Sequence, residues 1–390
     1  MDLSLTDEQR MLADSVRSVF SGAEGDPTAG GEAPEGGLEF RAALWSQGAE
    51  LGLTALLIDE EHDGAGAGLG EAWAAANALG ALAAPEPLVD AAYVPSVLVA
   101  ALGTADQQGA VLPAVAAGEA RIPLAHAEAG TGWDSARTAT VASGTLTGTK
   151  RAVAVPDAAT SFLVTAVEDG VPGVYLVEAT ADGVAVEVHR NAEWVRTGTV
   201  TFTDVPAERL GGAVGSGPDA ATVTAALDRT TAVARILQGG RAVGLMETAV
   251  TTTVEYLKVR KQFGVTLNRF QALTHRAAQL YADLESAQSL ALWATATATA
   301  ALENGDDALL IQTARDAQVF LNGQARTVAE ESIQLHGGIG VTYEAAISHY
   351  AAALTGFRQI YGGELETRSA ALASDSPQVA PSALLNNALV

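Results

Sequence analysis

The chain has 390 residues, with 46 acidic and 22 basic side chains and a formal net charge of −24, a balance that opposes nonspecific binding to nucleic acid or to anionic membranes. The absence of cysteine excludes disulfides, thiolate metal sites and cysteine nucleophiles. A hydrophobic content of 48% describes a well-buried globular protein, too long for one small core, while no run of about 18 unbroken apolar residues marks a membrane span.

In the first twenty residues the apolar positions Leu3, Leu5, Met11, Leu12, Val16, Val19 and Phe20 have the spacing of an amphipathic helix, with Thr6 as N-cap and Gln9 three residues on. Acids come early and no basic segment precedes an apolar core, which argues against a signal peptide and for a cytoplasmic protein. Residues 22–38 are rich in Gly, Pro and Glu and read as a loop. Helical texture resumes at Phe40 and breaks in the Gly-rich stretch 51–70, where His62 has no partner at metal-ligand spacing. From Leu69 to Ala117 three more helices are expected, punctuated by Pro85-Glu86-Pro87, Gly103-Thr104 and Pro113. Residues 1–118 therefore read as a helical bundle.

The texture changes at Gly118. From Ile122 to Val205, β-branched runs alternate with turn residues, including Asp169-Gly170 and Asp182-Gly183. An antiparallel β-domain of six or more strands is expected over 119–215. No G-x-G-x-x-G follows a strand there, so a nicotinamide cofactor is not signalled.

Long helices return over 216–373: about Ala220–Lys258, Arg269–Asn304, Asp307–Gly337 and a shorter one from Glu344 to Tyr361. A tail, 374–390, carries little pattern. The fold class is α+β, with a β-domain between an N-terminal helical bundle and a C-terminal four-helix bundle.

The stretch Tyr256–His275, YLKVRKQFGVTLNRFQALTH, breaks between two of those helices. Arg260, Phe263 and Gln271 set a cationic fork and a ring beside a helix start, suited to a phosphate-bearing, ring-containing cofactor. Further on, Gln334-Leu335-His336-Gly337-Gly338-Ile339-Gly340 offers glycines that let backbone approach a ligand closely.

With the order of the three domains, these two motifs resemble the acyl-CoA dehydrogenase family across almost the whole chain. The resemblance implies FAD as cofactor, held between the β-domain and the C-terminal helices, with a neighbouring subunit completing its site. Arg260 matches the arginine on the pyrophosphate, Phe263 the ring near the adenine or ribityl part, and Gln271 the glutamine after the helix entry. Gln334, Gly337 and Gly338 match the stretch that reaches the nucleotide from a second protomer. Arg235 matches a position near the isoalloxazine edge or the base loop. The flavin-contacting β-loop is a poorer match: of Ala125-His126-Ala127-Glu128-Ala129-Gly130-Thr131 only Glu-Ala-Gly survives. The implied partners are an acyl thioester on CoA or acyl carrier protein, an electron-transfer flavoprotein or similar acceptor, and further copies in a homo-oligomer, a dimer or tetramer. Lys150, Arg151 and Arg190 are candidates for an anionic carrier arm, although no motif marks them.

The family chemistry needs a carboxylate to remove a proton beside the thioester carbonyl. Its usual position is here Gly362, in Ile360-Tyr361-Gly362-Gly363-Glu364-Leu365-Glu366, and the family's other two solutions fall at Ala234 and near Arg241. Glu364 is the candidate base, displaced about 6–7 Å if that loop is extended, which leaves two outcomes open: γ,δ desaturation, or ordinary α,β desaturation by a re-aimed Glu364. A loop ion pair of Glu364 with Arg368, and Glu366 on a helix surface, are the plainer alternatives. A flavin monooxygenase or oxidase on this fold, or a non-catalytic subunit of a heteromeric enzyme, would need no such base.

Overall fold

The computed structural model describes residues 4–22, 38–133, 140–142 and 144–374. Most of the loop expected over 22–38, and the tail after Ser374, lie outside the described residues.

The N-terminal helices are α1 (Asp7–Phe20), α2 (Ala42–Glu50), α3 (Leu69–Ala81), α4 (Val94–Leu102) and α5 (Ala105–Ala116). The expected capping box starts α1: Thr6 Oγ1 accepts from the Gln9 N–H at 3.1 Å, and Gln9 Oε1 accepts from the Thr6 N–H at 3.0 Å. Thr104 and Gln107 do the same for α5. Pro113, expected to break a helix, sits inside α5 instead. A π-helical turn, Val89–Tyr93, runs directly into α4.

The β-domain is one eight-stranded sheet in the order β6-β7-β3-β2-β4-β5-β8, with β1 on β4. The long strands are β3 (Thr145–Ala154), β4 (Ser161–Glu168), β5 (Val171–Glu178), β6 (Val184–Arg190) and β7 (Arg196–Pro206); β1 (Leu124–Ala125), β2 (Val141–Ala142) and β8 (Glu208–Arg209) are short. Asp169-Gly170 makes the β4–β5 hairpin: Glu168 faces Val171, and both turn residues have positive φ, 52° and 81°. The long strands pair antiparallel as expected, but β1 and β2 each join β4 in parallel, so the sheet is mixed.

The C-terminal domain has α6 (Ala220–Val259), α7 (Gln271–Asn304), α8 (Asp307–His336), α9 (Ala346–Phe357) and α10 (Gly363–Ala373). The expected helix to Tyr361 stops at Phe357, and α10 is a separate helix where a loop was expected. Between α6 and α7 lies a small hairpin, β9 (Lys261–Gln262) with β10 (Val265–Thr266), turning at Phe263-Gly264.

Two hydrophobic cores result. One runs unbroken through both helical domains; the other, around Phe162, Val164 and Phe202, belongs to the sheet. Helix α3, alanine-rich and almost wholly buried, lies against α6. Contact is so close that a Cβ on Gly244 would overlap the Asn77 carbonyl. The Asn77 side chain in turn donates to the Gly240 carbonyl at 3.1 Å. This fixes the stretch of α6 that carries Gln238 and Arg241. Among the described residues no helix is long and apolar enough to cross a membrane, and no group of three or more His, Asp or Glu could hold a metal ion.

Candidate active site

A cavity of about 420 Å³ lies where the three domains meet. Its walls come from the Ala76–Asp90 segment, the β-domain, the middle of α6 and the Gly356–Glu366 segment. That size is typical of a small-molecule site.

Segment 358–366 decides which carboxylates enter it. Tyr361, Gly362 and Gly363 all have positive φ, 48°, 99° and 63°, and Gly362 caps α10. Within α10 each step advances about 1.5 Å and turns about 100°. Glu364 and Glu366, two steps apart, therefore leave the helix about 200° apart and face different sides. Glu364 is absent from the cavity lining and pairs with Arg358, not Arg368. The 6–7 Å displacement expected of an extended loop does not apply, and the regiochemical argument built on it loses its basis. Glu366, expected on a helix surface, lines the cavity and accepts the Trp133 N–H with both carboxylate oxygens at 2.9 Å.

Gly362, the position expected for the family's usual base, is crowded. A Cβ on Gly362 would stand 3.2 Å from Arg235 Nη2 and 3.5 Å from the Trp133 Cβ. Arg235 donates from Nε and Nη2 to the Tyr361 carbonyl, at 3.2 and 2.7 Å. Burial lowers its pKa to about 10, against the opposing pull of Glu366 and Asp228. Arg235 therefore holds the turn at Tyr361-Gly362. The Trp133 ring fills the same corner, 4.8 Å from His126 and 5.1 Å from Tyr361.

Asp90, on the π-helical turn, was not singled out from the sequence. It lines the cavity and accepts from the Tyr361 hydroxyl and from Gln238 Nε2, the latter at 3.1 Å. Desolvation raises its pKa although those hydrogen bonds and Arg241 oppose the shift. The Tyr361 hydroxyl is pushed up too, by burial and by Asp90. Three further lining carboxylates have cations: Glu86 with Arg41, Glu128 with Lys150, Glu193 with Arg241. Lys150 is fully buried and cannot meet a carrier arm; burial lowers it to about 8. The Arg190 guanidinium lies 3.9 Å over the Trp194 ring.

The residues expected to bind the nucleotide lie elsewhere. Arg260, Phe263, Gln271, Gln334, Gly337 and Gly338 are all exposed, and Phe263 is 90% exposed with φ 53°. Tyr256 joins the ends of α6 and α8, its hydroxyl 3.2 Å from the His336 carbonyl and its ring stacked 4.4 Å from the imidazole. Both motifs are therefore at one end of the bundle. Arg260 lies nineteen residues beyond Arg241, about 28 Å along α6 from the cavity. A Cβ on Gly337 or Gly338 would meet nothing within 4 Å, so the backbone lies open. An exposed ring, an arginine with no side-chain partner among the described residues and open glycines fit a dinucleotide such as FAD, covered by another chain. Most large apolar side chains exposed among the described residues lie in this domain, Tyr281, Trp293, Phe320, Ile339 and Val341 among them.

Comparison with known proteins places the chain in context. Residues 6–119 match the model of the acyl-CoA dehydrogenase N-terminal domain, and 224–375 that of the C-terminal domain. The chain is 28% identical over 366 residues to acyl-CoA dehydrogenase FadE28 of Mycobacterium tuberculosis, covering 93% of this chain and 96% of that one. It is 30% identical to benzylmalonyl-CoA dehydrogenase of Aromatoleum aromaticum over 305 residues, 74% and 78% of the two chains. Among solved structures, a variant of the steroid ACAD Tcur3481-Tcur3483 superposes with a TM-score of 0.80 at 28% identity, covering 99% and 100%.

Proposed function

The chain belongs to the acyl-CoA dehydrogenase family, and on that premise we propose that it desaturates an acyl thioester, on CoA or acyl carrier protein, whose acyl group enters the cavity between the three domains. Members of the family are FAD-dependent flavoproteins acting on CH–CH groups; bound FAD would take the hydride and pass electrons to an electron-transfer flavoprotein or similar acceptor. The observation that carries this reading is a largely apolar cavity between the three domains, on a chain that has both expected nucleotide motifs. Arg260 would take the pyrophosphate, Phe263 would pack on the nucleotide, and Gly337-Gly338 would let backbone approach it from a second protomer. The exposed apolar faces of the C-terminal helices support a dimer or tetramer.

The base is assigned within α10. Glu366 is the better placed of its two candidates, because it lines the cavity, as Glu364 does not, and has no cation bonded to it among the described residues. Glu364 serves only if it leaves Arg358. Anaerobic flavin reduction tests this, with saturated and 2-enoyl thioesters against wild type, Glu366→Gln and Glu364→Gln. Loss of bleaching in Glu366→Gln alone supports the assignment, and loss in Glu364→Gln alone transfers it. Bleaching only by the enoyl ester would restore γ,δ chemistry. No bleaching of bound flavin by any thioester refutes the dehydrogenase reading for this chain alone.

A second reading follows from the crowding at Gly362: this chain is one half of a heteromeric dehydrogenase and the base is on the other half. The similarity to the Tcur3481-Tcur3483 structure, named for two proteins, supports it. Co-expression with a second family member, followed by flavin-to-chain stoichiometry, separates the readings: one flavin per two chains favours the heteromer.

A further inference from the structure

Desaturation as proposed leaves one wall of the cavity without a task. Much of the lining is hydrocarbon, including Leu79, Leu88, Val89, Leu124, Val155 and Ile360. Set into it is Asp90, surrounded by protein. The π-helical turn Val89–Tyr93 carries it, a local widening of the helix that recurs at functional sites. One oxygen accepts from Tyr361 and the other from Gln238. A carboxylate offers about four acceptor positions, so about two remain. Arg241, the nearby cation, is bonded to Glu193 at 2.8 Å, and Glu193 also accepts from Asn191 at 3.2 Å. That pair is self-satisfied, and Asp90 is left with uncharged donors.

We infer that the acyl group taken by this cavity carries an O–H or N–H donor that meets the Asp90 carboxylate, so that Asp90 is a specificity-determining residue against plain hydrocarbon chains. A plain chain lying against Asp90 would strip its remaining acceptors of water and return nothing. A donor-bearing chain replaces that water. The expected preference is on the order of ten- to a hundredfold, the range for a buried acceptor left unpaired. A hydroxyl and a secondary ammonium present the same chemistry, and the experiment distinguishes them. The inference rests on the proposed acyl-thioester function.

The test uses the flavin-loaded protein, with its partner chain if it needs one. Three CoA thioethers of matched size, which bind but cannot react, are compared by calorimetry: one plain, one hydroxylated and one carrying a ring ammonium. The matched thioesters are compared by anaerobic flavin reduction. The expected result is ten- to a hundredfold tighter binding of at least one donor-bearing ligand. Asp90→Leu should abolish that preference. Asp90→Asn, which keeps the shape should Asp90→Leu fail to fold, should retain part of a hydroxyl preference and lose an ammonium preference. Equal binding of all three by wild type, or a preference unchanged in both variants, overturns the inference. Equal binding with flavin reduction by the plain thioester overturns the inference and leaves the desaturation reading in place. A binding preference without flavin reduction by any thioester does the reverse.

Discussion

Replacing Gly244 by alanine tests whether the contact of α3 with α6 sets the geometry of the cavity. The added methyl would overlap the Asn77 carbonyl oxygen and stand 2.7 Å from the Ala81 nitrogen and 3.0 Å from the Asn77 carbonyl carbon. Ordinary van der Waals contact begins near 3.4 Å, so α3 must retreat by at least 0.7 Å even at Ala81. Backbone on a buried helix cannot swing aside as a side-chain tip can. Overpacking of this kind costs about 1–3 kcal/mol, and the upper end applies where backbone must move. Against it stands the helical advantage of alanine over glycine, about 1 kcal/mol. The net expectation is a loss of about 2 kcal/mol. Gly109, exposed in α5 with nothing within 4 Å of an added Cβ, is the control. Gly109→Ala should gain about 0.5–1 kcal/mol from the same propensity term. Urea midpoints at fixed protein and flavin concentration measure both. Because Gln238 and Arg241 move with α6, Gly244→Ala should also weaken thioester binding. A midpoint for Gly244→Ala at or above wild type would refute the packing argument.

Arg260→Ala should reduce flavin retention about tenfold or more after gel filtration while leaving the monomer fold intact, because the side chain is exposed and without partners among the described residues; unchanged flavin content would remove Arg260 from the nucleotide site. Arg41→Ala strips the bidentate partner of Glu86, bonded at 2.7 Å through both oxygens and almost inaccessible to solvent, and should cost about 3–5 kcal/mol in urea. The double variant Arg41→Met, Glu86→Leu should recover most of that loss, and failure to do so would mean that packing rather than the stranded charge sets the cost. Lys150 provides a pH test. Its pKa is lowered by burial from 10.5 to about 8, so between those values the unfolded chain binds the proton and the folded one does not. Stability contributed by this group must then rise as pH increases from about 8 towards 10.5. Lys150→Met should remove that positive slope, and equal slopes in the two proteins would show that Lys150 stays charged.

The sequence made much of the fold legible for identifiable reasons. Both capping boxes, the Asp169-Gly170 hairpin and the ends of α6, α7 and α8 are written in local residue types, whose effects act within a few positions. The site was less legible because it is made by residues far apart. Asp90 is a lone acid in an apolar run, and its partners Gln238 and Tyr361 are 148 and 271 residues away. Lys150 looked like an available surface cation; only the folded sheet brings it to Glu128 and Thr165. Segment 361–366 misled for a subtler reason. Two glycines suggested continued loop, whereas their positive φ values form the cap that begins α10. Reading an extended chain there kept Glu364 in view and hid Glu366, which α10 brings to the cavity. Pro113, read as a breaker, sits inside α5.

On the assignment proposed above, helix α6 would let a chain keep the nucleotide motifs while Gly362 stands at the place of the family's base. The middle of α6, at Gln238 and Arg241, lines the cavity, and its C-terminus delivers Arg260 about 28 Å from Arg241. Side chains at one end have no contact with those at the other, so substitutions at Gly362 place no demand on Arg260 or Phe263. The two ends become coupled only when a second chain brings its own nucleotide motif to this cavity. In a homo-oligomer every cavity would carry the same crowded Gly362 corner and must find its base elsewhere, on α10. In a heteromer this chain could supply the nucleotide-binding end to a partner whose cavity retains a base, with its own cavity relieved of catalysis. The two arrangements differ in what Arg260→Ala does after co-expression with a partner. In the homo-oligomer all flavin is weakened. In the heteromer the flavin of the partner's cavity is lost, although every residue of that cavity is intact.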